Sequence, residues 1–249
     1  MIFDTHCHLG YTSEDPAATT AAAKAAGVSR LLTVGVDLPS SARARDLAAT
    51  DADVFHSAGL HPNAAGQLPE EWAGIQALAR EPACVAIGET GLDYYRDTAS
   101  PSQQKASLRA HLQFAAQLRL PVIIHTRNAF QDIFDELAAF PEVRGVLHCF
   151  SGGTEEARRA LELDYYLSFA GPITYPRNTA LRAAAAYAPA DRILVETDAP
   201  FLPPQQWRGQ ENQPSYIVET VKQLAAERKI SFEDAAQITT ANGRRLFGV

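Results

Sequence analysis

Met1-Ile2-Phe3-Asp4-Thr5-His6-Cys7-His8 opens the chain with an apolar strand that runs directly into a His-x-His pair. Side chains alternate along a strand, so His6 and His8 share one face and Cys7 takes the other. Two imidazoles on a rigid support form one arm of a metal site, and the other ligands must come from elsewhere. Short β-branched or apolar runs recur at Leu31 to Val36, Val54 to Gly59, Cys84 to Gly88, Pro121 to Ile124, Gly145 to Leu147, Tyr165 to Phe169 and Ile193 to Val195. With Ile2 to Thr5 they make eight candidate strands about 27 residues apart on average, the length of one strand, loop and helix.

Amphipathic helical patterns fill the intervals at Asp15 to Ala26, Ser40 to Ala49, Glu70 to Ala79, Ser102 to Leu118, Ala129 to Phe140, Thr154 to Leu163 and Asn178 to Tyr187. Pro69-Glu70-Glu71 and Thr154-Glu155-Glu156 put acidic side chains where a helix begins and its dipole is positive. An irregular stretch, Ala199 to Pro214, precedes two further helices at Ser215 to Arg228 and Phe232 to Thr239. Alternating βα units in this number predict an α/β fold, a closed (β/α)8 TIM barrel, with a doubly wound open sheet as the alternative. The 15 Pro and 15 Gly are scattered and mark no linker, so residues 1–249 are read as one domain.

Composition narrows the function. The 46% hydrophobic content supports a substantial core. No stretch approaches the roughly 20 apolar residues that span a bilayer. The first residues lack the basic and apolar regions of a signal peptide, and cytoplasmic residence is the expectation. Three cysteines, an odd number, argue against a disulfide framework. A net charge of -7 leaves no basic surplus for holding nucleic acid by counterion release, so any such contact would be local and transient.

Active sites of this fold lie at the C-terminal ends of the strands. Strand one ends in His6 and His8, strand three is followed by His61, strand four by Glu89 and Asp93, strand five by His125, strand six by His148, and strand eight by Glu196 and Asp198. Five of the seven histidines therefore fall at one end of the expected barrel, together with carboxylates. Nitrogen and carboxylate donors without thiolates suit Zn, Mn, Fe or, with more water, Mg. Six ligands exceed one tetrahedral ion, so the expected centre holds two divalent ions about 3.5 to 4 Å apart, with Glu89 between them and a water activated at the pair.

These strand-end motifs, His6-Cys7-His8, Gly88-Glu89-Thr90-Gly91-Leu92-Asp93, Ile124-His125-Thr126-Arg127, His148-Cys149-Phe150-Ser151-Gly152 and Glu196-Thr197-Asp198-Ala199-Pro200, resemble those of the TatD family of metal-dependent deoxyribonucleases in the amidohydrolase superfamily. The resemblance extends in order to Asn242-Gly243-Arg244-Arg245-Leu246-Phe247. It implies a (β/α)8 barrel with two metal ions, or three. It places His6, His8, Glu89 and Asp198 on one ion, and Glu89, His125 and His148 on the other, with His61 near the scissile phosphate or a third ion. The implied activity is phosphodiester hydrolysis that removes nucleotides from DNA 3′ ends, acting on DNA transiently, with no membrane and no obligate protein partner. Other ester hydrolysis, such as deacylation of mischarged tRNA, is the alternative, and a non-catalytic metal-binding barrel the least favoured. Members commonly carry a basic pair where this chain has Gln210 and Glu211, which would weaken its attraction for a polyanion.

Asp198 is read as the general base, against a role as ligand alone, and Glu89 joins it as the second catalytic carboxylate. Glu196 is read as the partner of a ligating histidine or as a structural ion pair. Arg127 could grip a phosphate bidentately or make a rim salt bridge. Tyr95 could stack on a base, although Tyr94 and Tyr95 packing the loop is the commoner outcome. Trp207 is expected to anchor its loop, and His56 and His111 to be structural. Cys7 and Cys149 are expected to face the helices as small hydrophobes.

Overall fold

The structure, a computed structural model, describes residues 1–249. Eight parallel strands, β1 (Ile2–Cys7), β2 (Val28–Thr33), β3 (Val54–Ala58), β4 (Cys84–Asp93), β5 (Val122–Arg127), β6 (Gly145–Leu147), β7 (Tyr166–Phe169) and β8 (Ile193–Val195), lie side by side in chain order. The ring closes just beyond the strand ends, where His8 N–H donates to Ala199 O at 2.7 Å and Asp198 N–H donates to His6 O at 2.9 Å. Helices α1 (Pro16–Ala25), α2 (Leu38–Ala48), α3 (Leu68–Leu78), α4 (Pro101–Leu118), α5 (Phe130–Ala138), α6 (Thr154–Glu162) and α7 (Thr179–Tyr187) connect successive strands, and α8 (Ile217–Arg228) and α9 (Phe232–Phe247) follow β8. This is the closed (β/α)8 barrel, and the open sheet is excluded.

Burial divides into two layers. Forty-seven buried residues form the core between the strands and the helices, against ten inside the barrel. The inner cluster takes Phe3, Leu32, Ile123, Val146, Tyr166 and Leu194 from different strands. Phe247 of α9 packs edge-on against Phe3 with ring centroids 6.0 Å apart, closing the N-terminal end of the barrel. Apolar side chains thus fill the bottom, and polar groups occupy the top.

Two irregularities in strand register decide which residues reach that top. Ile2 and Cys7 both belong to the outer core, although strict alternation over five positions would put them on opposite faces. The β1–β2 register shifts between Asp4 and Cys7, and His6 and His8 consequently point inward. In β4, Ala86 faces the inner cluster and Ile87 the outer one, so alternation would send Glu89 outward. The β4–β5 register shifts between Ile87 and Thr90, and Glu89 turns in. Bulges of this kind re-aim side chains beside active sites. The sequence pattern ends β4 at Gly88, whereas the strand continues to Asp93.

Helix α9 also outruns its expected end at Thr239, because Asn242 and Gly243 read locally as stop signals. Tertiary packing overrides them. The buried Asn242 Nδ2 donates to Ala190 O and Ile193 O at 2.8 and 2.9 Å, and a Cβ on Gly243 would come within 2.8 Å of the Phe3 ring. Asn242→Ala would leave both carbonyls without these donors and is expected to lower stability by about 1–3 kcal/mol. Urea unfolding would read this as an earlier midpoint; an unchanged midpoint would show that the staple contributes nothing.

Candidate metal centre

Six side chains from five strands or their ends converge at the top of the barrel. His6 Nε2 lies 3.2 Å from His8 Nε2, 3.4 Å from Glu89 Oε2 and 3.7 Å from Asp198 Oδ1. His8 Nε2 lies 3.7 Å from Glu89 Oε2 and 3.5 Å from Asp198 Oδ1. Ligands about 2.0–2.1 Å from a tetrahedral ion stand about 3.3 Å from one another, so these four donors outline a cation site. The other Glu89 oxygen, Oε1, is 2.9 Å from both His125 Nδ1 and His148 Nε2, themselves 3.3 Å apart. One buried carboxylate thus divides its two oxygens between two groups of donors.

Neighbouring hydrogen bonds set the tautomers. His8 Nδ1–H donates to Val34 O at 3.0 Å, which leaves the Nε2 lone pair facing Glu89 and Asp198. His148 Nδ1–H donates to Glu196 Oε1 at 3.2 Å, and the same oxygen accepts Cys149 N–H at 2.7 Å. Glu196 therefore orients a candidate ligand, as a carboxylate behind a metal-bound histidine does. The His148 ring also stacks on His6, with centroids 4.0 Å apart. Lone pairs turned toward each other across 3.2 Å repel unless a cation or proton lies between them, so the donor set fits divalent ions.

The electrostatics agree. Burial works to raise the Glu89 carboxyl, but His148, together with hydrogen bonds from His125 and His148, holds it well below its usual range. Burial likewise opposes protonation of His148, His8 and His125, and the facing carboxylates overcome it, Glu89 for His148, Asp198 for His8 and Asp93 for His125. His6 moves the other way, lowered by burial and by His148.

His61 stands apart. Its Nδ1 accepts Asn63 N–H at 3.1 Å, so the neutral ring carries its proton on Nε2, 3.6 Å from Glu89 Oε1. Burial lowers its pKa to about 3 and keeps the ring neutral. His61, Asp93 and His125 form a third group that could hold an ion, but ligation through His61 Nε2 would need the other tautomer and the loss of the Asn63 bond. His111, structural as expected, supports this loop from behind by accepting Leu60 N–H at 3.0 Å. His56 is buried in β3 away from the site.

Two carboxylates to which the sequence assigned no role support the site. Asp93, placed by the pattern on a loop, is the buried last residue of β4, with Oδ2 3.5 Å from His125 Nε2. Its Oδ1 accepts Tyr95 N–H and Arg96 N–H, and although burial works to raise its carboxyl, His125 and these bonds hold it down to about 2. The position of a carboxylate four residues after Glu89 was the available signal. Asp4 is fully buried and accepts His6 N–H, Thr197 N–H and Thr197 Oγ1–H, lacing β1 to the segment that carries Asp198. Burial pushes its carboxyl up to about 8.

The groups open into a cavity of about 730 Å³. On its rim Arg127 makes no salt bridge and lies 3.7 Å over the ring of Tyr95, which is 64% exposed. Tyr94 instead packs the loop, donating to Asp132 at 2.6 Å. Trp207 anchors its loop by stacking on Tyr216 at 3.7 Å. Cys7 faces the outer core as expected, but Cys149 lines the cavity, because its left-handed backbone, φ +41°, departs from strand alternation. Burial raises its thiol well above the ordinary range, which argues against a nucleophile. Glu211 is a latch: its Oε1 accepts Ser13 N–H at 2.7 Å and ties the segment after β8 to the loop after β1.

A family model described as TatD related DNase matches residues 3–248. The chain is 37% identical over 254 residues to the uncharacterized metal-dependent hydrolase YabD of Bacillus subtilis (strain 168), covering 100% of both. It is 36% identical over 245 residues to the 3'-5' ssDNA/RNA exonuclease TatD of Klebsiella pneumoniae (strain 342), covering 95% of this chain and 93% of that one. The crystal structure of YjjV, a TatD homologue from Escherichia coli K12, superposes with a TM-score of 0.92 at 31% identity, over 100% of this chain and 98% of that one.

Ion binding must displace the protons that Glu89, Asp198 and Asp93 hold on His148, His8 and His125. Because these histidines lie above their ordinary value, binding of Zn at pH 7 is expected to release protons, and affinity should fall as pH falls. Isothermal titration in buffers of different ionisation enthalpy checks this; heats independent of the buffer would contradict it.

Proposed function

Because the chain belongs to the TatD family and is a metal-dependent hydrolase, we propose that it cleaves phosphodiester bonds at the 3′ ends of single-stranded DNA. The observation that carries this reading is the single Glu89 carboxylate shared between two donor groups, an arrangement suited to an in-line displacement between two ions. His6, His8, Glu89 and Asp198 would hold one ion and Glu89, His125 and His148 the other, with Zn, Mg or Mn as the candidates. Divalent ions there supply charge that polarises a phosphoryl oxygen and lowers the pKa of the attacking water.

The chain's own groups do the rest. Asp198 turns Oδ1 toward the His6–His8 pair, leaving Oδ2 free to take a proton from the water as general base. Glu196 keeps His148 in the tautomer that presents Nε2. His61, neutral and protonated on Nε2, donates a hydrogen bond to a phosphoryl oxygen. Arg127, stacked on Tyr95 and unpaired with any carboxylate, offers its guanidinium edge to the phosphate, while the exposed face of Tyr95 is available to a base. The Klebsiella relative's name, an ssDNA/RNA exonuclease, supports a nucleic acid substrate.

His148→Ala or Asp198→Asn is expected to lower turnover of end-labelled single-stranded DNA at least about a hundredfold while the far-ultraviolet spectrum is unchanged. Full activity in both variants would refute the assignment. Wild-type protein that hydrolyses aminoacyl esters or cyclic amides and no phosphodiester would replace the nuclease reading with the esterase one.

A further inference from the structure

The main cavity has a neighbour. A second cavity of about 350 Å³, lined by Gly10, Ser40 and Arg43 among others, shares His8, Tyr11 and Asp37 with it. Both volumes fall within the roughly 300–1,000 Å³ of small-molecule sites. Tyr11 is the partition between them: its ring centroid lies 5.8 Å from that of His8, and the residue is 45% exposed. An aromatic residue left this open beside a ligand group, with a cavity on either side, is placed for stacking.

Arg43 supplies the charge. It projects from α2 with its stem over Gly10, where an added Cβ would meet Arg43 Cδ at 3.0 Å, so a larger residue at position 10 would push the guanidinium aside. No carboxylate pairs with it. The nearby Asp37 is already engaged as the N-cap of α2, accepting Ser40 N–H at 2.8 Å. An exposed, unpaired guanidinium beside an open ring is chemically suited to a phosphate and the base attached to it.

We propose that the Tyr11–Arg43 cavity is a second nucleotide subsite, in which Arg43 grips the phosphate next to the bond being cleaved and Tyr11 stacks on the base of that nucleotide. This rests on the phosphodiesterase reading of the main site. A ring standing between two successive nucleotides requires them to be splayed apart, which a single strand permits and a paired duplex does not. Arg127 on the main cavity and Arg43 on the second then each hold a phosphate of the strand.

The test is anisotropy of fluorescein-labelled single-stranded DNA titrated with the full-length protein in EDTA at several salt concentrations, together with hydrolysis in the presence of Mn. Arg43→Ala is expected to weaken binding about tenfold and to make the slope of log affinity against log salt shallower by about 0.7. Arg43→Lys keeps the slope. Tyr11→Ala weakens binding, whereas Tyr11→Phe, which preserves the ring, does not. In hydrolysis, KM for Arg43→Ala rises by a larger factor than kcat falls. Unchanged affinity, slope and KM in Arg43→Ala, on a DNA that the wild type cleaves, would overturn the subsite alone. A wild-type protein that neither binds nor cleaves single-stranded DNA would overturn the nuclease reading and the subsite with it.

Discussion

The Glu89 carboxylate, buried at the centre of the barrel top, is the constraint on which the site depends. An isolated carboxylate there would be costly or would take up a proton. It stays ionised because His148 and hydrogen bonds from His125 and His148 outweigh its burial, while His6 and His8 lie against its other oxygen. Those rings are useful only while their lone pairs point inward, and Val34 O and Glu196 enforce this for His8 and His148. The centre is therefore a nested arrangement, with carboxylate, imidazoles and the acceptors behind them each fixing the next layer.

Such an arrangement needs a rigid frame, and the barrel divides that task along its axis. The lower interior is a packed apolar plug around Phe3 and Phe247, which tolerates no charge. The upper interior is held by polar lacing. Asp4 joins β1 to Thr197, and hydrogen bonds of His8 and Asp198 complete the ring where β8 itself has ended. Closing the sheet and positioning Asp198 against His6 and His8 are thus one event.

The overall charge of -7 conceals a different balance at the mouth. Most acidic residues are spent elsewhere, in surface pairs such as Lys24–Asp51 or Arg158–Glu155, as helix caps, or inside the candidate metal centre. Arg127 rests on an aromatic ring, and Arg43 has no partner at all. Glu211, which as a free rim charge would repel a polyanion, instead latches Ser13. Counting charges describes the whole molecule, while pairing determines the local field a substrate meets.

The barrel was legible from the sequence because eight apolar runs at regular spacing leave few ways to bury them, and the candidate ligands could be named because this fold collects strand ends at one mouth. The spacing of His6, His8, Glu89, His125, His148 and Asp198 brought these donors to one candidate metal centre without any coordinates. What it could not carry was direction. Alternation alone sends Glu89 away from the site, and the bulges that turn it and His6 inward arise from pairing with β5 and β2, a relation between distant segments. The same holds for Asp93 behind His125, for the tautomer of His61 set by Asn63, and for the cavity that brings Arg43 and Tyr11 beside His8. Residue types and their spacing are local properties of a chain, so the sequence by itself determined the architecture and the donor set. Which lone pair faces which atom, and which arginine goes unpaired, depends on contacts across the barrel, and only the tertiary structure decided them.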